Sequence, residues 1–145
     1  MTKTKTITLA IATCALLALA AGFHATLGAQ GKSTKDGVFT AEQAKRGATL
    51  YGEQCASCHG EKMEGVADLF PALTGDAFMK NWTGKSVGEL YEKIATTMPA
   101  LDPGSLKPEQ VSDIVAHILN EEKLPAGTTA LAASADPLKT IKIDK

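Results

Sequence analysis

The segment that most constrains this chain is a run of five residues, Cys-Ala-Ser-Cys-His, at positions 55–59. Two cysteines separated by two residues place both sulfurs on one side of a helical turn, and a histidine follows directly. Such sulfurs can form thioethers to the two vinyl groups on one edge of a porphyrin, and the histidine can then bind the iron. The sequence therefore predicts one haem c, covalently attached through Cys55 and Cys58, with His59 as an axial ligand.

Three other uses of a cysteine pair fit this sequence less well. A thioredoxin-like redox pair needs a βαβ setting, and no strand pattern lies near the motif. A tetrahedral zinc site needs four ligands, and the chain has no second cysteine pair. A structural disulfide across so short a loop would be strained and would leave His59 without a purpose. Haem attachment is favoured over all three.

Residues 1–29 have the features of a secretory signal peptide. Lys3 and Lys5 precede an apolar run at residues 7–21, and small residues near position 29 offer a cleavage site. The alternatives are an uncleaved membrane anchor or a buried helix, but the apolar run is shorter than the roughly 20 residues that span a bilayer. We therefore expect a bacterial protein exported to the periplasm, an oxidising compartment.

The composition fits a folded domain and argues against a nucleic-acid partner. Hydrophobic residues make up 44% of the 145 residues, which is enough to build a core. The formal net charge is -1, and cleavage after residue 29 removes two lysines and no acids, which leaves -3. A chain with this charge has no basic surplus to neutralise phosphates.

Three stretches carry the capping and periodicity signals of helices. The first has a capping-box pattern at residues 40–43 and runs into Cys55, the second has a capping box at residues 86–89 and ends near Thr97, and the third begins at Pro108. No run of alternating apolar residues indicates a sheet. The fold class is therefore predicted to be all-α, with three main helices plus short helices and loops.

Four motifs occur in the order found in class I c-type cytochromes. They are Gly-Ala-Thr-Leu-Tyr at 47–51, Cys-Ala-Ser-Cys-His-Gly at 55–60, Phe-Pro-Ala-Leu-Thr-Gly at 70–75 and Thr-Thr-Met-Pro at 96–99. The resemblance to that family covers residues 38–127. It implies a cytochrome c-like fold wrapped around one haem, and single-electron transfer rather than catalysis. Within the family, the chain looks most like cytochromes that accompany PQQ-dependent alcohol or sugar dehydrogenases.

The resemblance also implies the second axial ligand. Residues 97–99 resemble the ligand loop of the family, so Met98 is expected to bind the iron opposite the histidine. Met63 is too close in sequence to His59 to cross to the other face. His117 is the competing ligand, but it stands where relatives carry an aromatic ring that packs against a glycine, here Gly47.

Two further positions match residues that support the haem in relatives. Pro71 resembles the proline whose carbonyl holds the other ring nitrogen of the ligand histidine. Trp82 resembles the tryptophan that contacts a haem propionate. The resemblance also implies an apolar crevice lined by Leu73, Leu90 and Ile94.

The domain prediction has four parts: a signal peptide (1–29), an N-terminal linker (30–37), a cytochrome c domain (38–127) and a C-terminal extension (128–145). The extension is rich in small residues, and we expect it either to pack along the domain or to dock onto a partner.

The predicted function is an exported monohaem cytochrome that carries single electrons through a His/Met-ligated haem. The expected partners are a redox donor and acceptor, among them a PQQ-dependent dehydrogenase, a terminal oxidase or another cytochrome, with membrane contact only if residues 1–29 stay uncleaved. One alternative is a tightly bound electron-accepting subunit of a PQQ-dependent dehydrogenase. The other is a ligand-binding or peroxidatic haem protein, which needs an open sixth position.

Overall fold

A computed structural model of the chain describes residues 32–145, so the predicted signal peptide lies outside the described residues. The described part contains a 3-10 helix (Thr34–Asp36) and six α-helices: α1 (Ala41–Gln54), α2 (Ala56–His59), α3 (Gly75–Trp82), α4 (Val87–Thr97), α5 (Pro108–Glu121) and α6 (Ala135–Leu138). Within residues 32–145 the only strand-like pairings are three isolated β-bridges. The all-α prediction is confirmed, and the three predicted helices correspond to α1, α4 and α5. No helix of the described residues is long and apolar enough to cross a membrane.

The N-terminus of α4 is capped as its sequence predicts. Ser86 N donates to Glu89 Oε2 at 2.7 Å, and Glu89 N donates to Ser86 Oγ at 3.2 Å. This reciprocal pair satisfies two backbone donors that the first turn of a helix leaves unpaired. The helix ends at Thr97, which places Met98 directly at its C-terminal end.

The capping box expected at the start of α1 forms only in part. Thr40 Oγ1 accepts a hydrogen bond from Gln43 N at 3.2 Å, as predicted. The Gln43 side chain does not return to Thr40. Its Nε2 donates to Leu131 O at 3.1 Å and its Oε1 accepts from Leu131 N at 2.8 Å, because the amide is buried and a main chain from the C-terminal extension lies beside it. The long-range pairing replaces the local one.

Helices α1 and α5 cross with their backbones in contact. A Cβ atom built on Gly47 would lie 1.8 Å from Asp113 O and 2.9 Å from His117 Cβ, so only glycine fits there. Beside the crossing, Arg46 makes a bidentate ion pair with Asp113, with both N···O distances 2.8 Å. The His117 ring meets the Tyr51 ring edge-on with centroids 5.6 Å apart. The predicted packing of His117 against Gly47 is therefore present.

The C-terminal extension packs along the domain. Its residues 141–143 lie between the N-terminal segment and the start of α4: Thr34 N donates to Lys142 O at 2.9 Å, and Val87 N donates to Ile141 O at 2.9 Å. Ile143 and Leu138 are buried in the same core as the three main helices. Of the two expectations for this extension, packing along the domain is the one observed.

Candidate functional site

Cys55 lies between α1 and α2, and Cys58 lies in the single turn of α2. Cys55 ends α1, and its carbonyl accepts from Cys58 N at 3.1 Å and from His59 N at 3.0 Å. Gly60 follows with a φ of 82°, a conformation that suits glycine and ends the turn. Both thiols are free and partly exposed, with no disulfide between them. The turn therefore presents two thiols and an imidazole from five consecutive residues.

His59 is buried and its ring is held by the loop that follows. Its Nδ1 lies 2.9 Å from Pro71 O, which is the contact expected for that proline. Because a carbonyl oxygen only accepts, Nδ1 carries the hydrogen and donates it. The lone pair is then on Nε2, the nitrogen that remains available to a metal.

Phe70 is a site residue that the sequence reasoning missed. Its ring meets the His59 ring edge-on, with centroids 6.1 Å apart. The sequence signal for it is its position directly before Pro71, whose carbonyl holds the histidine ring. Glu64 and residues 66–72, the loop that includes Phe70 and Pro71, line a pocket of about 500 Å³.

The loop between the histidine and α3 is fixed by its own backbone. Gly65 N donates to His59 O at 2.8 Å, and Leu73 N donates to Met63 O at 2.9 Å. The Met63 side chain is only 1% exposed and belongs to the core.

Met98 and Trp82 are half-buried and pack against the same core. Met98 follows the last turn of α4, where its N–H donates to Ile94 O at 3.0 Å. Trp82 ends α3, stacks on Phe78 with ring centroids 6.1 Å apart, and has Lys85 Nζ 4.9 Å above its ring. Among the described residues, neither side chain hydrogen-bonds to the segment 55–59. The structure thus brings the cysteines, the histidine and Pro71 together, and the roles of Met98 and Trp82 stay predictions.

Burial changes the acidity of two groups at the site. It raises the pKa of the Cys55 thiol to about 11, with the neighbouring Cys58 as a smaller cause. Burial also raises the pKa of Tyr51 to about 12. Both groups are therefore uncharged at neutral pH, which is compatible with an apolar group lying against them.

The donor set of these residues fits a haem c. Two unpaired thiols are spaced for two thioethers, an imidazole keeps Nε2 free, and Met98 supplies a thioether sulfur elsewhere on the core. Of the expected crevice residues, Leu90 and Ile94 are buried and Leu73 is half-buried.

The fold and this site define a class I c-type cytochrome domain. A family model described as cytochrome c oxidase, cbb3-type, subunit III matches residues 42–118, more than half of the chain, and the chain belongs to that family. None of the curated proteins matches the sequence.

A solved structure is similar in fold. It is the sulfane dehydrogenase SoxCD from Paracoccus pantotrophus, with a TM-score of 0.54 and 18% identity over 74% of this chain and 60% of that chain. At this identity the likeness shows the fold alone. A cytochrome c domain indicates a haem c cofactor, electron transfer and redox partners. Neither similarity names a PQQ-dependent dehydrogenase.

Proposed function

We propose that this chain is an exported, bacterial monohaem cytochrome that carries single electrons between periplasmic redox proteins. One haem c is attached through Cys55 and Cys58, with His59 and Met98 as its axial ligands. The observation that carries the proposal is the hydrogen bond from His59 Nδ1 to Pro71 O, because it leaves Nε2 free beside two unpaired thiols. An ordinary buried histidine next to two cysteines does not require this arrangement.

The residues of the chain hold, orient and shield the cofactor. The haem supplies one-electron redox chemistry when it is bound. Pro71 fixes the plane and tautomer of the histidine ring. Trp82 N–H would donate to a propionate of the bound haem. Buried Leu90 and Ile94 exclude water, which favours the less charged ferrous state. A methionine sulfur as second ligand raises the reduction potential further.

Replacing Met98 tests the ligand assignment. In Met98→Ala we expect the ferric protein to lose the weak long-wavelength absorption band of a methionine-ligated haem and to have a lower midpoint potential in an optical redox titration. The buried Met79 offers the matched control: Met79→Leu should keep both the band and the potential. A band that persists in Met98→Ala excludes Met98 as the ligand.

Copurification distinguishes a free carrier from a permanent subunit. A monomer that diffuses freely supports the proposal, whereas a constant ratio to a large quinone-cofactor dehydrogenase chain supports the alternative of an electron-accepting subunit. Rapid carbon monoxide binding to the ferrous protein at neutral pH would instead indicate a ligand-binding or peroxidatic haem protein.

Determination of the mature N-terminus tests export, with cleavage expected just before Gln30.

A further inference from the structure

The residue after the histidine is held by a tyrosine from another helix. Tyr51 Oη donates to Gly60 O at 2.6 Å, a shorter contact than the Met63 N to Gly60 O bond of 3.2 Å. Gly60 is the point at which the backbone turns sharply away from α2. A hydrogen bond at this carbonyl therefore holds the peptide plane between residues 60 and 61, one residue beyond His59.

Tyr51 itself is held firmly. It lies in α1 one turn before Cys55, it is 3% exposed, and its ring packs edge-on against His117 of α5. The close crossing of α1 and α5 at Gly47 is one turn further back along the same helix. Tyr51 thus belongs to the contact between α1 and α5, the most extensive helix contact of the described residues. Its hydroxyl links this contact to the turn that carries the histidine.

The backbone and the side chain of the histidine are consequently anchored from different directions. Pro71 O holds the imidazole at Nδ1, and Gly65 N donates to His59 O. Tyr51 holds the following carbonyl. If the tyrosine hydroxyl is removed, Gly60 O keeps only the longer bond from Met63 N at 3.2 Å. The turn after His59 is then held less firmly, and the imidazole can tilt about its bond to Pro71.

We infer that Tyr51 is a positioning residue for the axial histidine, through the hydrogen bond from its hydroxyl to Gly60 O. This inference rests on the proposed haem ligation. Its consequence is that the hydroxyl affects the electronic state and the potential of the iron without touching the haem ligands.

The two tyrosines of the chain provide a matched pair of variants. Tyr91 is also buried, at 7% exposure, and its hydroxyl also donates to a backbone carbonyl, that of Pro108 at 3.3 Å. Tyr51→Phe and Tyr91→Phe each remove one hydroxyl and one such hydrogen bond. Only the first bond lies beside the histidine.

We expect Tyr51→Phe holoprotein to show shifted g-values in the electron paramagnetic resonance spectrum of its ferric form. We also expect its equilibrium constant for reduction to change by roughly two- to tenfold, the range of one hydrogen bond. Tyr91→Phe should show wild-type g-values and a wild-type potential. If Tyr51→Phe loses thermal stability but keeps both wild-type signals, Tyr51 only packs and the inference is wrong.

A second measurement tests the inference if the Tyr51→Phe holoprotein accumulates poorly. Incorporation of 3-fluorotyrosine into Tyr91→Phe modifies Tyr51 alone, keeps the hydroxyl and makes it a stronger donor. The g-values and potential should then differ from those of unlabelled Tyr91→Phe, and unchanged values overturn the inference. A wild-type protein without thioether-bound haem would overturn the proposed function as well, whereas a normal wild type with an indistinguishable Tyr51→Phe overturns the inference alone.

Discussion

His117 occupies a position where an imidazole has to tolerate burial. The ring is half-buried against Tyr51 at the crossing of α1 and α5. Of the nearby acids on its own helix, Asp113 is already paired with Arg46. Burial lowers the pKa of His117 from its ordinary value of 6.5, and Glu121 opposes this only in part. The neutral ring is therefore the form that the fold accommodates.

This burial predicts a loss of stability in mild acid. The pKa of His117 in the folded protein lies below the unfolded value of 6.5. Between these two pKa values the unfolded chain binds more protons than the folded protein does. The free energy of unfolding therefore falls as the pH drops through this range. His117→Phe removes this contribution and keeps an aromatic ring at the crossing. Denaturant unfolding of the holoprotein at about pH 7.5 and about pH 5.5 should show a smaller loss in the variant than in the wild type. Equal losses of stability in the wild type and the variant would contradict the assignment of this pH dependence to His117.

At the scale of elements, the contact between α1 and α5 depends on a missing side chain. The helices approach so closely at Gly47 that its neighbour across the interface is the carbonyl of Asp113. A backbone atom cannot rotate away as a flexible side chain can. The same helix carries a second glycine, Gly52, which has no atom within 4 Å of its hypothetical Cβ.

These two glycines should respond in opposite directions. Gly47→Ala forces the helices apart and is expected to lower the free energy of unfolding by about 3 kcal/mol or more. Gly52→Ala adds a better helix former in open space and should be neutral or stabilising by up to about 1 kcal/mol. Denaturant titration of both holoproteins measures the difference. Similar values for the two variants would show that the close crossing does not limit stability.

At the scale of the whole molecule, the C-terminal extension completes the core. Leu138, Ile141 and Ile143 are buried, and the main chain between them pairs with both the N-terminal segment and the start of α4. Gln43 also holds the extension near its beginning, at Leu131. The extension thereby ties together segments from both ends of the described chain.

Truncation of one buried side chain of the extension should lower the free energy of unfolding as much as truncation of a side chain in the central core. Ile143 is 0% exposed, and Ile143→Ala is expected to lower the free energy of unfolding by about 2–4 kcal/mol. Leu101 is 98% exposed, and Leu101→Ala should change stability by less than about 0.5 kcal/mol. Both proteins should keep the wild-type haem spectrum. A cost for Ile143→Ala as small as that for Leu101→Ala would mean that the extension adds no stability.

The features that could be predicted depend on residues close together in the chain. The capping box of α4 joins Ser86 to Glu89, three residues apart, and it forms as expected. The attachment turn is equally local, because Cys55 O receives its hydrogen bonds within four residues. The contact between His59 and Pro71 spans more sequence, and it was expected from the family resemblance rather than from spacing.

Hydrogen bonds between residues far apart in the chain could not be predicted from the sequence in this way. Gln43 bonds to Leu131, 88 residues further on, and leaves the local cap that its position suggests. Gly75 N, at the start of α3, donates to the side chain of Glu122, although Thr74 stands at the capping position. Helix periods, caps and the cysteine turn follow from short-range backbone geometry, so the amino-acid order was enough to establish them. The bonds of Gln43 and Glu122, like that of Tyr51 to Gly60 O, form only when the folded chain brings these buried side chains to backbone groups of other segments.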